Sequence, residues 1–172
     1  NLSPIVAGIV VGGLWQVAVI FGVHWGITPV TVGNYASLGF DTFTALQASA
    51  VFSQAGAAFG VYFKSKNKEL KEVSLPAAVT AVFGITEPVV YGVNLRLKKP
   101  MICGCIAGAI GGAIAGAFNA VSWSYNMPGI ATIPAFFKVG YMTPFIGFII
   151  SIIVSFVLGM VLTMIVGFND EK

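Results

Sequence analysis

The sequence predicts an all-α integral membrane protein with about four spanning helices and additional re-entrant hairpin segments. Of its 172 residues, 57% are hydrophobic and only 9% are charged, whereas roughly a quarter of the residues in a soluble domain are charged. Several apolar runs approach the ~20 residues that a helix needs to cross the hydrocarbon core. Membrane β-strands would alternate polar and apolar residues, so these continuous runs favour helices over a barrel.

Four apolar segments are predicted to span the membrane within a single partial membrane domain, residues 1–172. They are residues 2–21, 42–63, 101–121 and 144–167. Glycines four residues apart, such as Gly104 and Gly108, are typical of membrane helices that approach each other closely. We therefore expect the third segment to pack tightly against another helix.

Basic residues are clustered at two places, which predicts the position of a hairpin. Seven of the nine lie in two short groups, Lys64, Lys66, Lys68 and Lys71, and Arg96, Lys98 and Lys99. Because basic loops are usually cytoplasmic, residues 73–95 should begin and end on the same side. Two helical crossings need about 40 residues, so this segment should enter the membrane, turn near Gly84–Pro88 and return. The alternative is a single span with one basic group outside.

Residues 22–41 form a second interrupted segment, because Pro29, Gly33 and several polar side chains are unfavourable for a continuous apolar helix. Residues 130–141 are predicted to be a further short interfacial or partly re-entrant piece. If spans alternate in direction, the first runs outward and the second inward, so segment 22–41 enters from outside and the hairpin from inside. Opposed broken segments that meet near the midplane are typical of a transporter site.

Glu87 is the strongest candidate ligand-binding residue, because it places a carboxylate within an apolar segment. A charged group at membrane depth costs roughly 2.5–3.5 kcal/mol or more unless it meets water, a partner or a ligand. His24 lies in the other broken segment, which has a similar local sequence. A carboxylate can accept hydrogen bonds from two hydroxyls and an imidazole can donate or accept, which suits a sugar.

The further candidate substrate-binding residues are Thr28, Asn34, Thr86 and Asn94. Structural roles are the alternatives: a protonated Glu87 could cap a broken helix, and His24 could bond only a nearby carbonyl. Asp41 lies beside the polar segment and is interpreted as a residue of a helix N-cap region.

No catalytic residue, cofactor or metal site is predicted. The sequence has neither a glycine-rich phosphate loop nor a Ser/His/Asp arrangement, and no basic groove with interleaved aromatics, so nucleic acid is not an expected partner. Cys103 and Cys105 lack further zinc ligands and are interpreted as packing residues. The first span lacks a basic region before it and is not a cleaved signal. The start at Asn1, without Met, suggests a piece of a longer protein.

Three stretches resemble a known family: FGITEPVVYGVNLRLKK (residues 83–99), FGVHWGITPV (residues 21–30) and the glycine-rich residues 104–116. They are similar to the membrane-embedded IIC component of phosphotransferase-system (PTS) sugar permeases, most of all the β-glucoside branch of the glucose superfamily. The likeness covers essentially the whole chain, and the GITEP motif is specific to that superfamily. The chain corresponds to the later, substrate-binding half of such a transporter.

The resemblance implies uptake of a sugar, such as a β-glucoside, through the bacterial cytoplasmic membrane by an elevator-like movement. A phosphocysteine on the IIB domain then phosphorylates the 6-hydroxyl of the sugar. The implied partners are the IIB and IIA phosphocarrier domains, the lipid bilayer and a second copy in the intact homodimer. The resemblance also implies that Glu87 and His24 contact the sugar.

Two other functions are consistent with the residues. An ion- or proton-coupled sugar carrier would use Glu87 as its proton site, and a truncated bundle would have no autonomous transport. The intact system is a phosphotransferase, but this chain carries no phosphorylation site, so its own status as an enzyme is left open. Its hydrogen-bonding side chains indicate a sugar without distinguishing among glucose-family sugars.

Overall fold

The computed structural model describes residues 3–170, which are mainly helical and contain no β-strand, only an isolated bridge between Asp41 and Ser122. The all-α prediction is confirmed. The helices are α1 (Pro4–Ile20), a 3₁₀ helix (Val23–Ile27), α2 (Thr28–Leu38), α3 (Phe43–Lys64), α4 (Lys68–Val82), α5 (Glu87–Val89), a π-helical turn (Val90–Asn94), α6 (Leu95–Leu97), α7 (Lys99–Ala117), a second 3₁₀ helix (Ile130–Phe136) and α8 (Met142–Val166).

Helices α1 and α7 are joined by a seam of glycines. A Cβ atom on Gly8 would overlap the carbonyl oxygen of Gly112, and one on Gly12 would overlap that of Gly108. The two backbones are therefore in direct contact, as small residues permit in membrane helix pairs. The tight packing predicted for residues 101–121 is confirmed.

Helix α3 lies at the centre of the bundle and packs against α1, α4, α7 and α8. Its polar side chains Ser49, Ser53 and Gln54 are completely buried. They face other helices rather than the surroundings, so their hydrogen-bonding groups are satisfied within the protein. Ser49 and Ser53 each donate to a main-chain carbonyl of α3 itself.

The directions of the helices correct the predicted order of crossings. Gly8 meets Gly112 and the first turn of α1 meets Gly116, so α1 and α7 are antiparallel. Gln54 contacts Gly104 while the start of α3 lies beside the end of α7, so α3 and α7 are antiparallel too. Helices α1 and α3 therefore run in the same direction, so the expected alternation of spans is wrong for this pair.

Residues 22–41 also differ from the prediction of irregular backbone. A short 3₁₀ helix is followed by the 11-residue helix α2, and the segment leads back to the end of the bundle at which α1 begins. Asp41 then accepts hydrogen bonds from the main-chain nitrogen (2.6 Å) and the hydroxyl (2.7 Å) of Thr44. Its predicted place in a helix N-cap region is confirmed.

Residues 68–97 form a helical hairpin. Helix α4 runs to Val82, the chain reverses at Gly84 (φ 100°), and the returning arm of α5, the π-helical turn and α6 packs back along it. Gly92 on this arm lies beside Val73 of α4. Both ends of the hairpin therefore lie at the same end of the bundle, as predicted, and its entry into a membrane stays a prediction.

Among the described residues, two helices are long and apolar enough to cross a membrane by length and composition, Lys99–Ala117 and Met142–Val166. Pro4–Ile20 is apolar but shorter. All four predicted spans coincide closely with a helix, although residue 2 lies outside the described residues. The number of crossings stays a prediction.

Two contacts fix the segments outside the bundle. Phe136 of the second 3₁₀ helix stacks on Phe148 of α8 with ring centroids 3.9 Å apart. At the opposite end, Asp170 accepts hydrogen bonds from the hydroxyl of Ser65 and the main-chain nitrogen of Lys66. These bonds lower the pKa of Asp170, and they hold the C-terminal turn against the loop between α3 and α4.

Candidate functional site

A polar cavity of about 80 Å³ lies where the hairpin tip meets the segment after α1. Four parts of the chain form it: the end of α1 with the first 3₁₀ helix and α2, the first half of α3, the hairpin tip, and the loop before the second 3₁₀ helix. Its lining includes Trp15, His24, Trp25, Thr28, Thr31, Phe43, Thr44, Gln47, Thr86, Glu87, Tyr125, Asn126, Met127 and Pro128.

His24 reaches the cavity because the chain turns sharply after α1. Gly22 adopts a left-handed conformation (φ 71°), which glycine accommodates without strain. The His24 ring packs edge-on against the Trp15 ring, with their centroids 6.0 Å apart, and its centroid lies 5.4 Å from that of the Trp25 ring. Its Nδ1 atom is buried and has no hydrogen-bond partner among residues 3–170.

Glu87 lies at the hairpin tip, at the start of α5. The left-handed turn at Gly84 reverses the chain just before it, and Pro88 occupies a first-turn position of the short helix, where its missing N–H is tolerated. The Glu87 side chain is exposed and lines the cavity, next to the buried Thr86. The carboxylate is therefore accessible to a polar molecule.

The loop at residues 125–129 closes over the hairpin tip, which the sequence did not predict. A Cβ atom on Gly84 would lie 2.8 Å from the carbonyl oxygen of Pro128, and one on Gly129 would lie 2.5 Å from the carbonyl carbon of Phe83. The Pro128-Gly129 pair indicates a turn, but no sequence signal places that turn against Gly84. The sequence also did not identify three other lining residues, because they resemble ordinary residues of membrane spans: Trp15, Phe43 and Gln47.

Four of the six predicted ligand-binding residues line this cavity: His24, Thr28, Thr86 and Glu87. The other two are engaged elsewhere. The amide nitrogen of Asn34 donates to Asp41 at 2.7 Å.

Asn94 is completely buried and donates to Gln54. It follows Glu87 by two helical turns and would share its face in a regular α-helix. The intervening π-helical turn is wider and rotates Asn94 away from the cavity, toward α3.

Comparisons with known proteins identify the family. The family model described as "Phosphotransferase system, EIIC" matches residues 1–108, more than half of the chain and both His24 and Glu87. The chain belongs to this EIIC family. EIIC proteins are integral permeases of the inner membrane, so the membrane prediction is confirmed at the level of the family.

Several relatives of this EIIC chain are described as β-glucoside-specific, which agrees with the resemblance to the β-glucoside branch of the glucose superfamily. It is 45% identical over 136 residues to a "PTS system beta-glucoside-specific EIIBCA component" of Halalkalibacterium halodurans, covering 79% of the chain and 21% of that protein. A protein of the same description from Bacillus subtilis is 36% identical over 169 residues, covering 98% and 27%. An arbutin-, cellobiose- and salicin-specific EIIBC component of Escherichia coli is 34% identical over 167 residues, covering 94% and 34%.

This EIIC chain thus spans 21–34% of the length of those relatives. No solved structure matches it.

Proposed function

We propose that this EIIC chain forms the sugar-binding part of a bacterial PTS permease and that its substrate is a β-glucoside. The observation that carries the proposal is the cavity, because its lining includes both Glu87 and His24, which come from separate segments of the chain. The names of the relatives supply the sugar class.

The chemistry of the cavity suits a hexose. Glu87 can accept hydrogen bonds from two neighbouring hydroxyls, and the imidazole of His24 can donate to or accept from another. Thr28 and Thr86 add hydroxyls that can do both. The rings of Trp15 and Trp25 beside His24 offer apolar faces for the C–H groups of a sugar.

The cavity in this structure is small for a sugar. Small-molecule sites usually have about 300–1,000 Å³, whereas this cavity has about 80 Å³. We therefore propose that the hairpin tip and the loop at residues 125–129 separate from the 3₁₀ helix that carries His24 when a sugar binds. In the proposed cycle, an elevator-like movement carries the bound sugar to the cytoplasmic side, where the IIB phosphocysteine transfers its phosphoryl group to the 6-hydroxyl.

The substitution Glu87→Gln tests the proposal. The variant keeps the size of the side chain but loses the charge-assisted hydrogen bonds, which are worth about 1.5–3 kcal/mol each. We expect salicin affinity, measured by calorimetry on the full-length protein in detergent, to fall roughly ten- to hundredfold. Glu69→Gln is the matched control, because Glu69 is an exposed carboxylate at the other end of the same hairpin.

Wild-type affinity in a folded Glu87→Gln variant would contradict the proposal. His24→Ala should lower the salicin affinity about tenfold, or by roughly 1.4 kcal/mol.

The coupling of sugar uptake to sugar phosphorylation is tested separately, in membrane vesicles that contain the phosphorylated IIB partner. Sugar should appear inside only as its 6-phosphate, and accumulation of unmodified sugar driven by a pH gradient would support a proton-coupled carrier instead.

A further inference from the structure

Gln54 and Asn94 form a buried amide pair outside the cavity. Both side chains are completely buried. The amide nitrogen of Asn94 donates to the Gln54 side-chain oxygen at 2.7 Å and to the Gln54 main-chain oxygen at 2.9 Å. One amide group thus makes two hydrogen bonds to the same residue.

The pair joins the returning arm of the hairpin to the centre of the bundle. Gln54 lies in the middle of α3, and its own amide nitrogen donates to the Met101 carbonyl of α7 at 3.4 Å. Gly104 makes room for it, since a Cβ atom there would lie 2.5 Å from the Gln54 amide nitrogen. Asn94 is therefore anchored to a residue that is itself fixed between two of the bundle helices.

Among the described residues, the returning arm of the hairpin makes few other side-chain hydrogen bonds to the rest of the bundle. The Tyr91 hydroxyl reaches the main-chain oxygens of Val19 and Ile20 at 3.3 Å each, but the Tyr91 side chain is half exposed. Apolar contacts of Val89, Val90 and Val93 bury one face of the arm in the core. The two hydrogen bonds of Asn94 add a directional constraint to this packing.

We propose that Gln54 and Asn94 are positioning residues that hold the Glu87 carboxylate toward the cavity. Glu87 and Asn94 belong to one continuous helical arm, and the π-helical turn between them sets their relative direction. Fixing Asn94 on α3 therefore fixes the direction in which Glu87 points. This inference rests on the proposed sugar-binding function.

The experiment compares Asn94→Ala with Ser151→Ala in the full-length protein. Ser151 is also completely buried and donates to the Gly111 carbonyl at 2.7 Å, so its removal also deletes a buried hydrogen bond, but one that joins α8 to α7 and not to the hairpin. We expect Asn94→Ala to weaken salicin binding roughly tenfold and to increase amide hydrogen exchange at residues 83–97. Ser151→Ala should lower the melting temperature and leave both readouts at wild-type values.

The outcomes separate this inference from the proposed function. Loss of binding in Glu87→Gln with wild-type binding and exchange in Asn94→Ala would overturn the positioning role alone. Wild-type binding in Glu87→Gln would overturn the proposed function, and increased exchange at residues 83–97 in Asn94→Ala would still support the anchor. If Asn94→Ala does not fold, Gln54→Leu decides, because it removes the side-chain acceptor and keeps the main-chain acceptor. Binding and exchange unchanged in that variant would overturn the inference.

Discussion

Lys98 lies at the junction between the hairpin and α7, in a backbone conformation that L-residues rarely adopt. Its φ is 63° and its ψ is −58°. The chain must change direction here, because α6 ends at Leu97 and α7 begins at Lys99. A positive φ costs an ordinary residue roughly 1–2 kcal/mol, so the junction stores conformational strain in one residue.

Substituting Lys98 by glycine should relieve this strain. We expect Lys98→Gly to raise the free energy of unfolding by up to about 1 kcal/mol, because the extra entropy of an unfolded glycine offsets part of the gain. Thermal unfolding in detergent measures the change. Lys99→Gly is the control, since Lys99 begins α7 and glycine there should be neutral or destabilising. Equal destabilisation by both variants would contradict the strain argument.

The roles of only some of the candidate ligand-binding residues could be predicted from the sequence. Glu87 and His24 stand out because ionisable groups are costly in an apolar segment, and both line the cavity. The sequence did not show that Asn34 and Asn94 have structural roles instead, because an amide in such a segment can bind a ligand or another part of the protein equally well. The π-helical turn that directs Asn94 inward has no sequence pattern that predicts it.

At the scale of the elements, the glycine seam between α1 and α7 was predictable and can be tested. Gly8→Ala should destabilise the protein by about 1–3 kcal/mol, the usual cost of overpacking, because its Cβ would overlap the Gly112 backbone. Gly33→Ala in α2 is the control: its Cβ would meet nothing within 4 Å, and alanine favours the helix. Detergent unfolding of both variants measures the difference, and a neutral Gly8→Ala would show that the helices are less closely packed.

The direction of α1 was not predictable from the same sequence. Basic clusters mark the end of the bundle near residues 64–72 and 96–99, which is why the hairpin was expected to return to one side. No such cluster flanks residues 21–42, so only the assumption of alternating spans assigned their direction. Helix α2 carries the chain back instead, in a stretch where Pro29 and several glycines suggested irregular backbone.

For the whole molecule, the parallel arrangement of α1 and α3 fixes which loops share an end of the bundle. Ser3 precedes α1, whose first turn lies beside the last turn of α7. Ser124 lies in the loop after α7, at that same end. Lys66 lies at the opposite end, where α3 and α8 finish and Asp170 meets the loop. The alternating order would instead place Ser3 with Lys66.

Cysteine labelling in intact cells distinguishes the two arrangements. In a Cys103→Ala, Cys105→Ala background, a membrane-impermeant maleimide should react with Ser3→Cys and Ser124→Cys from outside, because all three introduced positions are exposed and basic loops stay cytoplasmic. Lys66→Cys should react only after the cells are permeabilised. If Ser3→Cys instead required permeabilisation as Lys66→Cys does, α1 would run opposite to α3. The course of the chain from α1 to His24 described above would then be wrong.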